Sequence, residues 1–196
     1  MNRIYMLTMD YVISSHSELS SFHRTRLQKA SCEKRKKEII GSALLLKRAV
    51  ADMGEDENKI SYGINKNGKP YFESLPYYFN ISHSGNMIIC AVSDEEIGCD
   101  IEKHRPFSPS VAGKYFSPEE LAFAESSPAA FTRLWVLKES LVKLKGAGLK
   151  EIENTVFNFT DGKPSLEGYS FFEFEKEGYS AAVCTANKKD FELIMI

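Results

Sequence analysis

The string "NGKP" at 67–70 returns as "DGKP" at 161–164, 94 positions further along the chain. The same offset joins Cys90 in "IICAV" to Cys184 in "AVCTA", and Tyr77-Tyr78 to Phe171-Phe172. It also lays the apolar stretch "IIGSALLLKRAV" on "RLWVLKESLVKL". Several features on one offset, in one order, predict two copies of a single α/β unit. Each copy alone would bury little apolar surface, so the two must pack together. The expected fold class is α/β (α+β): two pseudo-symmetric subdomains, each a small, mostly antiparallel sheet with a long packed helix. The division falls between 1–96 and 97–196, with almost no linker. A seam between two such units is a common ligand site.

Local patterns fill in the copies. "IYMLTM" reads as a strand, "SELSSFHRTRLQKA" and "EKRKKEIIGSALLLKRAVADMG" as helices, the second ended by Gly54. "KISYGI", "KPYFE", "YYFNIS" and "MIICAVS" follow as strands, with an Asn67-Gly68 tight turn between the first two. In the second half, "IGCDIE" is a strand. "SPEELAFAESS" starts a helix with a capping box, Ser117 and Glu120, and Pro118 in its first turn. "PAAFTRLWVLKESLVKLKG" is a longer helix stopped by Gly146, and "NTVFNFT", "SLEGYSFFEFE", "GYSAAVCTA" and "FELIMI" read as strands.

Composition is that of a globular protein, with 43% hydrophobic and 27% charged residues. A net charge of −2 gives no nucleic-acid signature. The charge is uneven, however. Residues 1–48 hold ten Lys/Arg and four Asp/Glu, concentrated in "RTRLQKASCEKRKK". That stretch reads either as a solvated helix face or as a polyanion site. Cys32, Cys90, Cys99 and Cys184 form no CxxC pair, as expected of reduced thiols in the cytoplasm. The longest apolar run, "MIICAV", is too short to span a membrane.

Three carboxylates stand out. Asp100 and Glu102 flank Ile101 in a strand, so both point to one face. They are either a solvated surface pair or the start of a metal site. Glu139 lies opposite the apolar stripe Leu134, Leu137, Leu141 and Leu144, yet Trp135 and Val142 neighbour it. Apolar groups on both sides suggest a helix wedged between layers, with a partly buried carboxylate that needs a partner. Lys143, at i+4, offers a helix-face ion pair. Two acids from a strand and one from the following helix could hold Mg²⁺, which keeps waters and completes its shell with phosphate oxygens. Asn80, Ser82, His83, Ser84 and Gly85 read as a polar hairpin turn or as a phosphate cradle.

Taken in order, "GKPYF", "FNISHSG", "IGCDIE", "FSPEE" and "WVLKESLVKLKGAGL" resemble the surfactin-synthetase type of 4′-phosphopantetheinyl transferases. The resemblance covers about residues 20 to 160. It implies transfer of phosphopantetheine from coenzyme A, bound in the seam, to a serine of an apo acyl or peptidyl carrier protein. Adenosine 3′,5′-bisphosphate is the by-product. By the same resemblance, Asp100, Glu102 and Glu139 would hold Mg²⁺, and Lys143 and Lys138 would neutralise phosphate oxygens. His83 and Ser82 would contact the diphosphate or the 3′-phosphate, while Gly68, Lys69 and Pro70 would line the adenine end. Arg26, Lys29 and Lys37 would be 3′-phosphate ligands; the recurrent acid Glu120 has no assigned role. Glu139, directly or through water, would act as base. A monomer is the simplest expectation. An Mg²⁺-dependent phosphoester hydrolase and a non-catalytic module binding coenzyme A or a carrier are the competing readings.

Overall fold

The computed structural model describes residues 1–11, 19–148 and 150–196. The first half runs β1 (Arg3–Thr8), α1 (Ser21–Gln28), α2 (Glu33–Asp52), β2 (Tyr62–Ile64), β3 (Pro70–Phe72), β4 (Tyr78–Ser84) and β5 (Met87–Ser93). The second runs β6 (Gly98–Lys103), α3 (Pro109–Tyr115), α4 (Pro118–Ala124), α5 (Pro128–Lys145), α6 (Lys150–Glu153), β7 (Asn158–Thr160), β8 (Lys163–Ser165), β9 (Ser170–Lys176), β10 (Tyr179–Thr185) and β11 (Glu192–Met195). One sheet has the order β11-β1-β5-β4 and the other β6-β10-β9; β2-β3 and β7-β8 are separate hairpins.

The two halves share a topology. In each, an antiparallel trio places the last strand at the centre, β1-β5-β4 against β6-β10-β9. Each has one long helix and one small hairpin, whose turn glycine, Gly68 or Gly162, has φ +85° or +70°. Glycine adopts that conformation without steric cost, which explains the repeated "GKP". Cys90 and Cys184 are buried in the two central strands. β11 breaks the symmetry: it returns to the first sheet and pairs parallel with β1.

β5 is buried along its whole length, and from Met87 to Val92 its residues are apolar on both faces. Ile88, Cys90 and Val92 join Leu45, Leu46 and Val50 of α2 in one core. Ile89 and Ala91 join Cys99, Ile101, Ala181 and Val183 in a second core between the two sheets. Since Cys99 and Ile101 face that core, the alternate residues Asp100 and Glu102 face α5 instead. α5 comes very close there. A Cβ on Gly98 would overlap the Ser140 carbonyl oxygen and the Leu144 backbone. Thus the glycine of "IGCD" is what lets helix and strand meet.

Some expectations change. "NISHS" is no turn: β4 continues to Ser84, and only Gly85 and Asn86 turn. α3 was not anticipated. "NTVFNFT" is a strand only from Asn158. "SLEGYSFFEFE" is interrupted between β8 and β9, where Gly168 has φ +80°. The first expected helix begins at Ser21, and its positions 17 and 18 lie outside the described residues.

Candidate functional site

β4 and β6 lie side by side where the two halves meet, and side chains take the place of a backbone ladder. Cys99 N–H donates to Asn80 Oδ1 (2.8 Å), Ile101 N–H to Ser82 Oγ (3.4 Å) and Lys103 N–H to Ser84 Oγ (3.2 Å). Alternate residues of β4 thus meet alternate residues of β6, as a period of two dictates. The serine hydroxyls then donate onward, Ser82 to Asp100 Oδ1 and Ser84 to Glu102 Oε2, both at 2.6 Å. Each serine therefore sets one backbone position and one carboxylate.

α5 supplies the rest. Lys143 Nζ donates to Asp100 Oδ1 at 2.6 Å and to Ser82 Oγ at 2.9 Å. Its expected i,i+4 partner was Glu139, but the ion pair is with Asp100. Burial, the largest single influence, works to lower the Lys143 ammonium. The charge and hydrogen bond of Asp100, joined by Cys99 and Glu139, together outweigh it and hold the group above the usual lysine value. Glu139 is raised above the usual carboxylate value. Burial is the main cause, then the charge of Asp100; Lys143 opposes them and Glu102 adds to them. Glu139 therefore senses both strand acids. Arg105 also acts on it. The Arg105 guanidinium lies 5.4 Å from the Phe131 ring and 5.3 Å from that of Trp135, with its Nε buried and unpartnered.

Among the described residues, no three His, Cys, Asp or Glu side chains are gathered closely enough to hold a metal as they stand. The donor set still suits a hard cation. Asp100 is 4% exposed, and its Oδ2 is buried without a hydrogen-bond partner. Such an oxygen is costly to leave bare, and a cation at the α5 face would satisfy it.

On the other side of β4, His83 meets α2. Its Nδ1 lies 3.4 Å from Glu38 Oε1 and its Nε2 3.3 Å from Arg35 NH1. Burial pulls the imidazole below its usual value; Glu38 opposes this, while Arg35 and Lys143 add to it. Arg26, Arg35, Glu38, Pro70, Asn80 and His83 line a small pocket of about 90 Å³ here. Arg26 and Arg35 also line a neighbouring groove, together with Lys29 and Lys34. Pro70 also lines a larger cavity of about 470 Å³, with Lys69, Tyr71, Tyr77 and Tyr78 among others.

Arg26, Lys29, Lys69, Pro70 and His83 thus line three neighbouring pockets that share residues, Pro70 between the small pocket and the larger cavity and Arg26 between the small pocket and the groove. Lys69 Nζ, however, donates to the carbonyls of Ile97 (2.8 Å) and Leu144 (3.3 Å), tying the start of the second half to the end of α5. Gly68 supplies the turn before them. Lys37 is exposed and does not line the groove. It is two positions from Arg35, about 200° around the helix. Arg35 and Glu38, missed in the sequence, take the inward stripe with Ser42, a spacing of i, i+3, i+7 that helical periodicity could have revealed.

Lys138 requires a correction. Its side chain is fully buried, 2.8 Å from Glu120 Oε1, and it also donates to the Thr155 carbonyl. Burial pulls its ammonium down against the attraction of Glu120. It cannot reach phosphate, because it points to the α4 side of α5. Glu120 is likewise structural. Its Oε2 accepts the Ser117 N–H in a complete capping box, and its Oε1 accepts the Phe157 N–H.

Acids and a lysine where the two halves meet, beside a basic hollow of the first half, suit the handling of phosphate groups. Comparison with known proteins makes this specific. Residues 96–190 match the family model of the 4′-phosphopantetheinyl transferase superfamily. A 4′-phosphopantetheinyl transferase of Bacillus subtilis is 37% identical over 166 residues, covering 75% of this chain and 71% of the relative. The Sfp transferase of Bacillus subtilis strain 168 is 34% identical over 148 residues, covering 67% and 66%. The Bacillus subtilis transferase ffp is 32% identical over 216 aligned residues, covering 94% and 92%. The chain belongs to the 4′-phosphopantetheinyl transferase family.

Proposed function

We propose that this protein transfers the 4′-phosphopantetheine arm of coenzyme A to a serine hydroxyl of an apo acyl or peptidyl carrier protein, in the cytoplasm and with Mg²⁺. The observation that carries this reading is Asp100, bound to Ser82 and Lys143 with its second oxygen buried and unpartnered, near a raised Glu139 at the seam. Asp100, Glu102 and Glu139 would hold Mg²⁺, which when bound supplies positive charge to the diphosphate.

The chain's own groups account for the rest. The aromatic cavity takes the adenine, the adjoining hollow faces the ribose phosphate, and the diphosphate lies at the seam beside Lys143. The carrier serine oxygen bonds to the phosphorus beside the pantetheine arm. The bond from that phosphorus to the bridging oxygen breaks, and adenosine 3′,5′-bisphosphate leaves with the electron pair. Lys143, kept charged by Asp100, offsets negative charge that grows on the phosphate oxygens. The serine proton goes to Glu139, whose raised proton affinity suits a base, directly or through a water. The seam is internal to one chain, so a monomer suffices. Four free cysteines are in keeping with a reducing compartment, and among the described residues no helix is long and apolar enough to cross a membrane.

The test is to incubate the protein with coenzyme A, Mg²⁺ and apo carrier domains, then weigh the carriers intact. A phosphopantetheine mass gain that EDTA blocks is expected. No gain across several acyl and peptidyl carriers, or release of phosphopantetheine to water instead, would overturn the reading.

A further inference from the structure

The basic hollow between α1, α2 and β4 contains a carboxylate. Among the described residues lining the small pocket and its adjoining groove, Glu38 is the one acid. It is 6% exposed and sits at the pocket base between the two groups best placed to grip an anion. Its Oε2 lies 2.9 Å from Arg35 NH1 and its Oε1 3.4 Å from His83 Nδ1.

The hydrogen bonds show what this does. Arg35 NH1 also faces His83 Nε2 at 3.3 Å. Arginine can only donate, so Nε2 accepts, and the ring proton is on Nδ1, directed at Glu38. Both donors are therefore already turned towards groups of the protein. A phosphomonoester dianion entering here must compete for these donors and lie against a buried carboxylate. Like charges that close repel, and a desolvated site strengthens the repulsion.

The position of the pocket identifies the phosphate concerned. Pro70 lines both this pocket and the aromatic cavity. A nucleoside in that cavity would direct its ribose towards Arg35 and His83, while the diphosphate continues to Lys143 on the far side of Ser82.

We propose that Glu38 is a specificity-determining residue that weakens this chain's grip on the ribose phosphate of its donor, so that 3′-dephospho-coenzyme A serves nearly as well as coenzyme A. The inference rests on coenzyme A being the donor. Discrimination here comes from a repulsive element built into an otherwise attractive pocket. Removing the carboxylate would free Arg35 and His83 and make the pocket select for phosphate.

The experiment compares the two donors by kcat/KM on one carrier, for the wild type and Glu38→Gln. Alongside, calorimetry compares adenosine 3′,5′-bisphosphate with adenosine 5′-phosphate, without carrier or metal. For the wild type, both ratios should lie within about threefold, and in Glu38→Gln both should rise about tenfold in favour of the phosphorylated ligand, a factor equivalent to about 1.4 kcal/mol. A wild type that already prefers the phosphorylated ligand by about a hundredfold overturns the proposal, and this holds even if the variant does not fold. So does a ratio that is unchanged or lower in Glu38→Gln, which would mean that Glu38 orients Arg35 and His83 for the phosphate. If neither nucleotide binds, the donor reading fails and takes this inference with it; a ratio that contradicts expectation removes this inference alone.

Discussion

Lys143 Nζ lies 2.6 Å from Asp100 Oδ1, joining α5 to β6 at the meeting line of the two halves. Ser82 of β4 bonds to both groups, at 2.9 Å and 2.6 Å. Three elements from the two copies of the repeat thus converge on one carboxylate oxygen. Replacing Lys143 by Met should lower kcat about 10²–10³-fold, the usual effect of removing one charge-stabilising donor. Steady-state kinetics on a carrier domain would check this. A loss expressed only in KM would show that Lys143 merely binds the donor.

Glu139 gives a pH-dependent prediction. Its folded-state proton affinity is raised. The folded chain therefore holds this proton at pH values where the unfolded chain has released it. Stability from this group is fully present below the ordinary carboxylate value and is lost as pH rises through the raised one. Glu139→Gln should accordingly abolish most turnover while raising the neutral-pH Tm by about 2–4 °C for each kcal/mol relieved. The gain should vanish in acid. Scanning calorimetry without divalent metal at neutral and acid pH measures it, and a Tm advantage equal at both would contradict the cause given.

Lys138 and Glu120 should behave as structural partners. Removing one member of a buried pair leaves the other charge uncompensated, at a cost of about 3–5 kcal/mol. Lys138→Met should therefore lower the denaturation midpoint sharply. The fraction that folds should keep kcat/KM for coenzyme A within about twofold, because no donor contact is lost.

Gly98→Ala tests the close approach of α5. The added methyl meets Ser140 and Leu144 backbone atoms, which cannot rotate away. Overpacking of this kind costs about 1–3 kcal/mol and displaces the helix. Both stability and kcat should fall, the latter because Lys143 and Asp100 are held by the same contact. Normal kcat in a destabilised variant would separate the two.

The sequence revealed these relationships unevenly. The common face of Asp100 and Glu102 follows from a period of two, and the partly buried Glu139 from Trp135 and Val142 beside it. The repeat anticipated two similar units, each with a small antiparallel sheet and a long helix, but not their strand order or the added β11. By contrast, "NISHS" suggests a turn because serine and asparagine favour turns. Here their polar atoms replace the missing backbone ladder between β4 and β6, a purpose that requires knowledge of the neighbouring strand. Lys138 and Lys143 are five positions apart on one helix, and only packing decides which reaches the seam and which meets Glu120. Lys37 and Arg35 present the same ambiguity on α2. α3 escaped notice because "PSVAGKY" is only seven residues long, so its stripe of Val111, Ala112 and Tyr115 spans too few turns to show a period. The return of β11 to β1 joins residues nearly 190 positions apart, beyond the reach of any local pattern.

Everything proposed for the seam requires Asp100, Glu102 and Glu139 to act on one divalent cation. Binding of Mn²⁺, followed by electron paramagnetic resonance in the presence of coenzyme A, tests this most directly. One bound ion per chain is expected, with affinity lowered at least about tenfold in each of Asp100→Asn, Glu102→Gln and Glu139→Gln. Undiminished binding in all three variants, or no binding by the wild type, would contradict it.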